Sequence, residues 1–128
     1  MTYTHTFYGT GLNSYHFTVA DKQISFGQRA GIYILIARPF WPTSLPKPLY
    51  VGQTANAHSR PGANASSHEK QASANAQGFN QIGFLDVPLQ SERDRIESEL
   101  IERLDPPLNI QKRNALAGLF GSGFGRSN

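Results

Sequence analysis

The sequence predicts a mixed α/β or α+β domain around a small sheet, preceded by an N-terminal β-hairpin extension. Three observations carry this. Residues 31–37, Gly-Ile-Tyr-Ile-Leu-Ile-Ala, form a short and nearly all-apolar run, the signature of a strand buried on both faces. Ile96, Leu100 and Leu104 recur every four residues and mark one apolar stripe of a helix. The chain has 128 residues, enough for one domain and hardly for two.

The elements follow in chain order. Residues 2–8 alternate Thr, Tyr, Thr, His, Thr and Phe, a weak strand signal, and Gly9 to Asn13 reads as a loop. Tyr15–Val19 and Gln23–Phe26 flank Ala20-Asp21-Lys22, which predicts a hairpin between them. Pro39, Pro42, Pro46 and Pro48 each lack an amide donor and exclude regular structure over 39–48. Leu49-Tyr50-Val51 is the next strand, ended at Gly52. Thr54 is placed to cap a short helix towards Arg60, stopped by Pro61-Gly62. Ser66 or Ser67 is placed to cap a second helix through Ala72 and Ala76, with Gly78 as its stop. Phe79–Val87 reads as a further strand closed by Pro88. Ser91 and Asp94 have the spacing of a capping box before the last helix, and Asp105-Pro106-Pro107 ends it. The boundaries expected are a β extension over 1–30, a core domain over 31–111 and a Gly- and Ser-rich tail over 112–128.

Composition narrows the chemistry. There is no cysteine, which excludes a disulfide framework, a thiolate metal site and a cysteine nucleophile. The four histidines, His5, His16, His58 and His68, form no tight pair at metal-ligand spacing. The longest apolar run is far short of the roughly 20 residues of a membrane span. The start lacks the basic and apolar regions of a signal peptide, so a cytoplasmic protein without membrane association is expected. The net charge is +3, and residues 1–60 hold five basic residues against Asp21 alone, which permits a polyanionic partner.

The motif order is more specific than any of this. Gly31-Ile32-Tyr33 opens the first core strand, and Tyr50-Val51-Gly52 closes the second. Arg60 follows, then Glu97 in the long helix, then Pro106-Pro107-Leu108-Asn109. With this ordered set, residues 31–111 resemble the GIY-YIG nuclease family. The resemblance implies a small three-stranded antiparallel sheet flanked by helices, and a metal-dependent endonuclease acting on DNA phosphodiester bonds.

It also implies roles. Glu97 is the expected ligand of Mg2+ or Mn2+, hard cations that keep several waters and need few protein oxygens. Its neighbours Glu92, Glu99 and Glu102 read as solvated carboxylates. Arg60 is expected to offset phosphate charge with its guanidinium. Tyr33 or Tyr50 is expected to position or deprotonate the attacking water. A free phenol has a pKa near 10, so a base role needs a cation nearby. His68 is a candidate proton relay. Gly31 and Gly52 support the motif strands, and Asn109 is expected to hold the helix end near the site. DNA is the expected partner, with a homodimer as one source of specificity.

An alternative is a non-catalytic nucleic-acid-binding module on the same fold, because residues 53–59 lack Lys and Arg. A third reading, a protein-interaction domain, would use Phe40 and Trp41 with Phe120 and Phe124 of the tail.

Overall fold

A computed structural model describes residues 2–24, 26–40, 43–55 and 73–109 of the chain. Five strands form one antiparallel sheet: β1 (Thr2–Tyr8), β2 (Ser14–Asp21), β3 (Gly31–Ala37), β4 (Lys47–Thr54) and β5 (Phe79–Asp86). Their spatial order is β1-β2-β5-β3-β4. One long helix, α1 (Gln90–Leu104), packs on the sheet, and a 3-10 turn follows at Pro107–Asn109.

This corrects the expected fold. The sheet has five strands in place of three, and α1 is the only helix of seven residues or more among the described residues. The cause lies in β2. Thr18–Asp21 of β2 hydrogen-bond in register with Gln81–Phe84 of β5. Phe17 and Val19 enter the same core as Ile32, Ile34 and Ile36 of β3. The N-terminal hairpin is therefore part of the main sheet. The hairpin itself also differs from the expected one. β2 pairs with β1, Thr2 opposite Ala20 and Tyr8 opposite Ser14, through the Gly9–Asn13 loop. Residues 23, 24 and 26 are not in a strand, because the Ile24 amide turns back onto the Asp21 carbonyl. The helices expected from Thr54 to Arg60 and from Ser66 or Ser67 fall mostly outside the described residues. Residues 73–76 are helical and end at Gly78, whose φ of 89° suits glycine.

β3 is buried at all seven positions. Its even residues meet Phe7, Phe17, Val19, Val51 and the Ile96, Leu100 and Ile101 stripe of α1. Tyr33, Leu35 and Ala37 meet Leu49, Ala74, Phe79, Ile82 and Phe84 on the opposite face. Burying each large side chain contributes roughly 1.5–3 kcal/mol. β4 begins earlier than expected and includes Pro48, beside a register shift between Leu35 and Ile36. An edge strand tolerates the missing amide there. No helix among the described residues is long and apolar enough to cross a membrane.

The start of α1 departs from the expected capping box. Leu89 is the N-cap, and no side chain caps the helix. Asp94 accepts instead from Gln90 Nε2 at 3.0 Å and Gln53 Nε2 at 2.8 Å. Asp105 ends the helix in the left-handed region, φ 49° and ψ 55°, with its amide on the Ile101 carbonyl. Pro106 disfavours the right-handed helix at that position, and Asp tolerates the alternative.

Glu99 is not the solvated carboxylate that its position suggests. It accepts from Tyr15 Oη at 2.9 Å, Asn13 Nδ2 at 3.1 Å and Arg95 Nη1 at 2.7 Å. The first two of these bonds fasten the β1–β2 hairpin to α1. Burial works to raise the Glu99 pKa, but the bonds from Asn13, Tyr15 and Arg95 outweigh it and hold the carboxyl below its ordinary value. Its contribution to stability is therefore complete above the ordinary Glu pKa of about 4.3 and is lost as pH falls through the lower folded value. Tyr15 shifts the other way, raised by burial and by its bond to Glu99, so its contribution is lost above about pH 10. Replacing Glu99 with Gln should reduce stability at pH 7 by about 1–2 kcal/mol and flatten the acid limb of the stability curve. Urea unfolding from pH 3 to pH 7 reads both effects.

Candidate active site

The two motif tyrosines stand on neighbouring strands and on one face of the sheet. Tyr33 of β3 lies opposite Gly52 of β4, and Leu35 lies opposite Tyr50. The Tyr33 and Tyr50 ring centroids are 6.1 Å apart, tilted at 42°. Tyr33 is buried and Tyr50 is half-buried. Gly52 makes room for the first ring: a Cβ there would stand 2.6 Å from both Cζ and Oη of Tyr33. Gly31 is required for a different close approach, since a Cβ at that position would run into the Leu85 carbonyl of β5. Both glycines thus have packing reasons that do not depend on any chemistry.

Glu97 reaches the same edge strand from the other face. Side chains alternate along β4. Val51 joins the α1-side core, and Gln53 follows on that side. Gln53 Nε2 donates to Glu97 Oε1 at 2.9 Å and to Asp94 Oδ1 at 2.8 Å. Its Oε1 accepts from Gln90 Nε2 at 3.0 Å and Arg93 Nε at 3.3 Å. One amide therefore gathers two carboxylates and a guanidinium. Adjacent residues of β4, Gly52 and Gln53, serve the tyrosine and the carboxylate respectively.

Arg93 is buried, with 5% of its surface exposed. It donates to the carbonyls of Val87 at 3.0 Å and Pro88 at 2.8 Å and to Gln90 Oε1 at 2.9 Å. Among the described residues no carboxylate pairs with it within salt-bridge distance. Its donors are committed to oxygen dipoles, and its charge stands one helical turn before Glu97.

Asn109 closes the strand edge. Its Oδ1 accepts from the Val51 amide and its Nδ2 donates to the Val51 carbonyl, both at 2.9 Å. The side chain acts as a one-residue strand beside β4, and both partners are buried. It also ties the turn after α1 to the middle of the Tyr50-Val51-Gly52 tripeptide.

Arg60 and His68 lie outside the described residues, as do His58, Trp41, Phe120 and Phe124. The described part of the site is thus Tyr33, Tyr50 and Gly52 on one face, with Gln53, Arg93, Asp94 and Glu97 around the edge. Gln53, Arg93 and Asp94 have no motif signal. Asp94 was readable only as a cap. Arg93 could have been singled out by its place, three residues before Ile96 on the apolar stripe of α1.

A methyl group at position 52 tests the tyrosine cradle. Gly52→Ala should displace the Tyr33 ring at a cost of about 1–3 kcal/mol, read by thermal unfolding and near-UV circular dichroism. Asn109→Ala should cost about 2–5 kcal/mol, because it strands a buried amide and a buried carbonyl of Val51. Asn109→Asp should not restore that loss, since its carboxylate would face the Val51 carbonyl; chemical denaturation measures both variants. No protein-family model, curated protein or solved structure matches this chain.

Proposed function

We propose that this protein is a metal-dependent endonuclease of the GIY-YIG type, hydrolysing DNA phosphodiester bonds in a cytoplasmic setting. The carrying observation is the juxtaposition at β4. Two tyrosines from two ordered tripeptides share one face at 6.1 Å, and Gln53, the residue after the second tripeptide, holds Glu97 on the other side of the same edge strand.

In this reading the water oxygen forms a bond to phosphorus as the bond to the leaving oxygen breaks. The water proton passes towards Tyr33 or Tyr50 in its phenolate form, with His68 as a relay, and the leaving oxygen takes a proton from solvent. Arg60 offsets the charge that grows on the phosphate oxygens. The donor set suits Mg2+ or Mn2+: Glu97 would supply a hard carboxylate oxygen, and Asp94, held by the same Gln53 amide, would supply another. When bound, such an ion neutralises phosphate charge and acidifies water. Gln53 fixes the Glu97 side chain. Among the described residues no cluster of three His, Cys, Asp or Glu occurs, so water and phosphate oxygens would complete the coordination.

Purified protein should nick supercoiled plasmid in Mg2+ or Mn2+, and Glu97→Ala should fall to the level of buffer. Gln53→Ala should retain cleavage but lose about 10–100-fold, as for residues that orient a metal ligand. Plasmid binding without cleavage, equal in wild type and Glu97→Ala, would favour the non-catalytic binding module.

A further inference from the structure

The two edges of the sheet are built differently. On β4, Pro48 has no amide to offer, Lys47 carries charge, and Asn109 occupies the outward groups of Val51. All three features block pairing with another strand. β1 has none of them. Its seven residues, Thr-Tyr-Thr-His-Thr-Phe-Tyr, include no Pro, Lys, Arg, Asp or Glu. Its ladder with β2 runs from Thr2 to Tyr8 without a register shift.

The phase of that ladder is fixed at the hairpin. The Gly9 amide bonds the Asn13 carbonyl at 3.0 Å, so Phe7, His5 and Tyr3 make the hydrogen-bonded pairs with β2. The backbone groups of Thr2, Thr4, Thr6 and Tyr8 then point away from the sheet. Among the described residues, no bond from outside the ladder reaches the backbone of Thr4, Thr6 or Tyr8.

We propose that β1 pairs antiparallel with β1 of a second copy of this chain, joining two sheets about a twofold axis at His5. The strand is complementary to itself. In this register Thr4 faces Thr6 of the other copy and Thr2 faces Tyr8, all with outward backbone groups, giving about eight hydrogen bonds. Tyr3 faces Phe7 on the opposite face. Threonine pairs and aromatic pairs across strands are favourable, and no like charges meet among Lys, Arg, Asp or Glu. A second copy is the occupant because the contact is isologous and the strand itself is uncharged, with the Arg38 guanidinium already held against the Tyr3 ring 5.0 Å from its centroid. A polyanion finds no Lys or Arg on this strand.

Sedimentation velocity of the full chain should give twice the 14.1 kDa protomer mass. Thr4→Lys with Thr6→Lys places lysines opposite lysines across the axis and should weaken association at least about tenfold, with near-UV circular dichroism checking the fold. The chain has no cysteine of its own. His5→Cys should therefore cross-link into a disulfide dimer under mild oxidation, whereas Thr4→Cys, off the axis, should not. A monomeric wild type at about 100 μM, a hundredfold above a micromolar Kd, would overturn the proposal. So would a dimer insensitive to the lysines, or cross-linking as efficient at position 4 as at position 5.

Discussion

The central constraint is the complete burial of β3. Seven consecutive residues from Gly31 to Ala37 have no side exposed to water, so material must cover both faces. On one side α1 supplies Ile96, Leu100 and Ile101. On the other, Ala74, Phe79, Ile82 and Phe84 pack with Tyr33 and Leu35, and Phe26 and Leu108 lie against them. A strand buried on both faces needs neighbours on both edges as well, because its amides have no access to water. β5 and β4 provide them. The tyrosine half of the candidate site follows from this placement, since Tyr33 is carried by β3 and Tyr50 by its neighbour.

The edge strand β4 connects the two halves of the candidate site. Its pleat sends consecutive residues to opposite faces. Gly52 leaves space for the Tyr33 hydroxyl, and Gln53 takes hold of Asp94 and Glu97. Asn109 fixes the backbone between Tyr50 and Gly52. A strand end held this tightly limits the displacement of tyrosine relative to carboxylate. Such fixity is a requirement of chemistry that depends on preorganised charge.

β3 and α1 were legible in the sequence because their signals are local: an apolar run and a four-residue stripe. The hairpin was not. Tyr15–Val19 has turn signals on both sides, Gly9–Asn13 before it and Ala20-Asp21-Lys22 after it. What decides is the ladder to β5, whose partners Thr18 and Phe84 are far apart in the chain. The same distance hid the work of two polar side chains. Glu99 resembles any other surface carboxylate until Asn13 and Tyr15 are brought to it, and Gln53 is unremarkable until α1 docks. Conversely, the Ser91–Asp94 spacing suggested a cap, but Asp94 bonds to Gln53 and Gln90. The motif glycines were legible as motif members. Their physical reason, a tyrosine ring and a carbonyl at closer than contact distance, needed the packed strands.

The chemistry proposed around β4 is cleavage of a DNA phosphodiester bond by water. The most direct measurement is cleavage of plasmid by the purified full chain with Mg2+ in water enriched in oxygen-18, followed by mass spectrometry of the new phosphate ends. Hydrolysis should leave one labelled oxygen atom for each bond cut, and a parallel Glu97→Ala preparation should give no labelled ends. Cut ends without label would contradict hydrolysis, and intact DNA would contradict the endonuclease assignment itself.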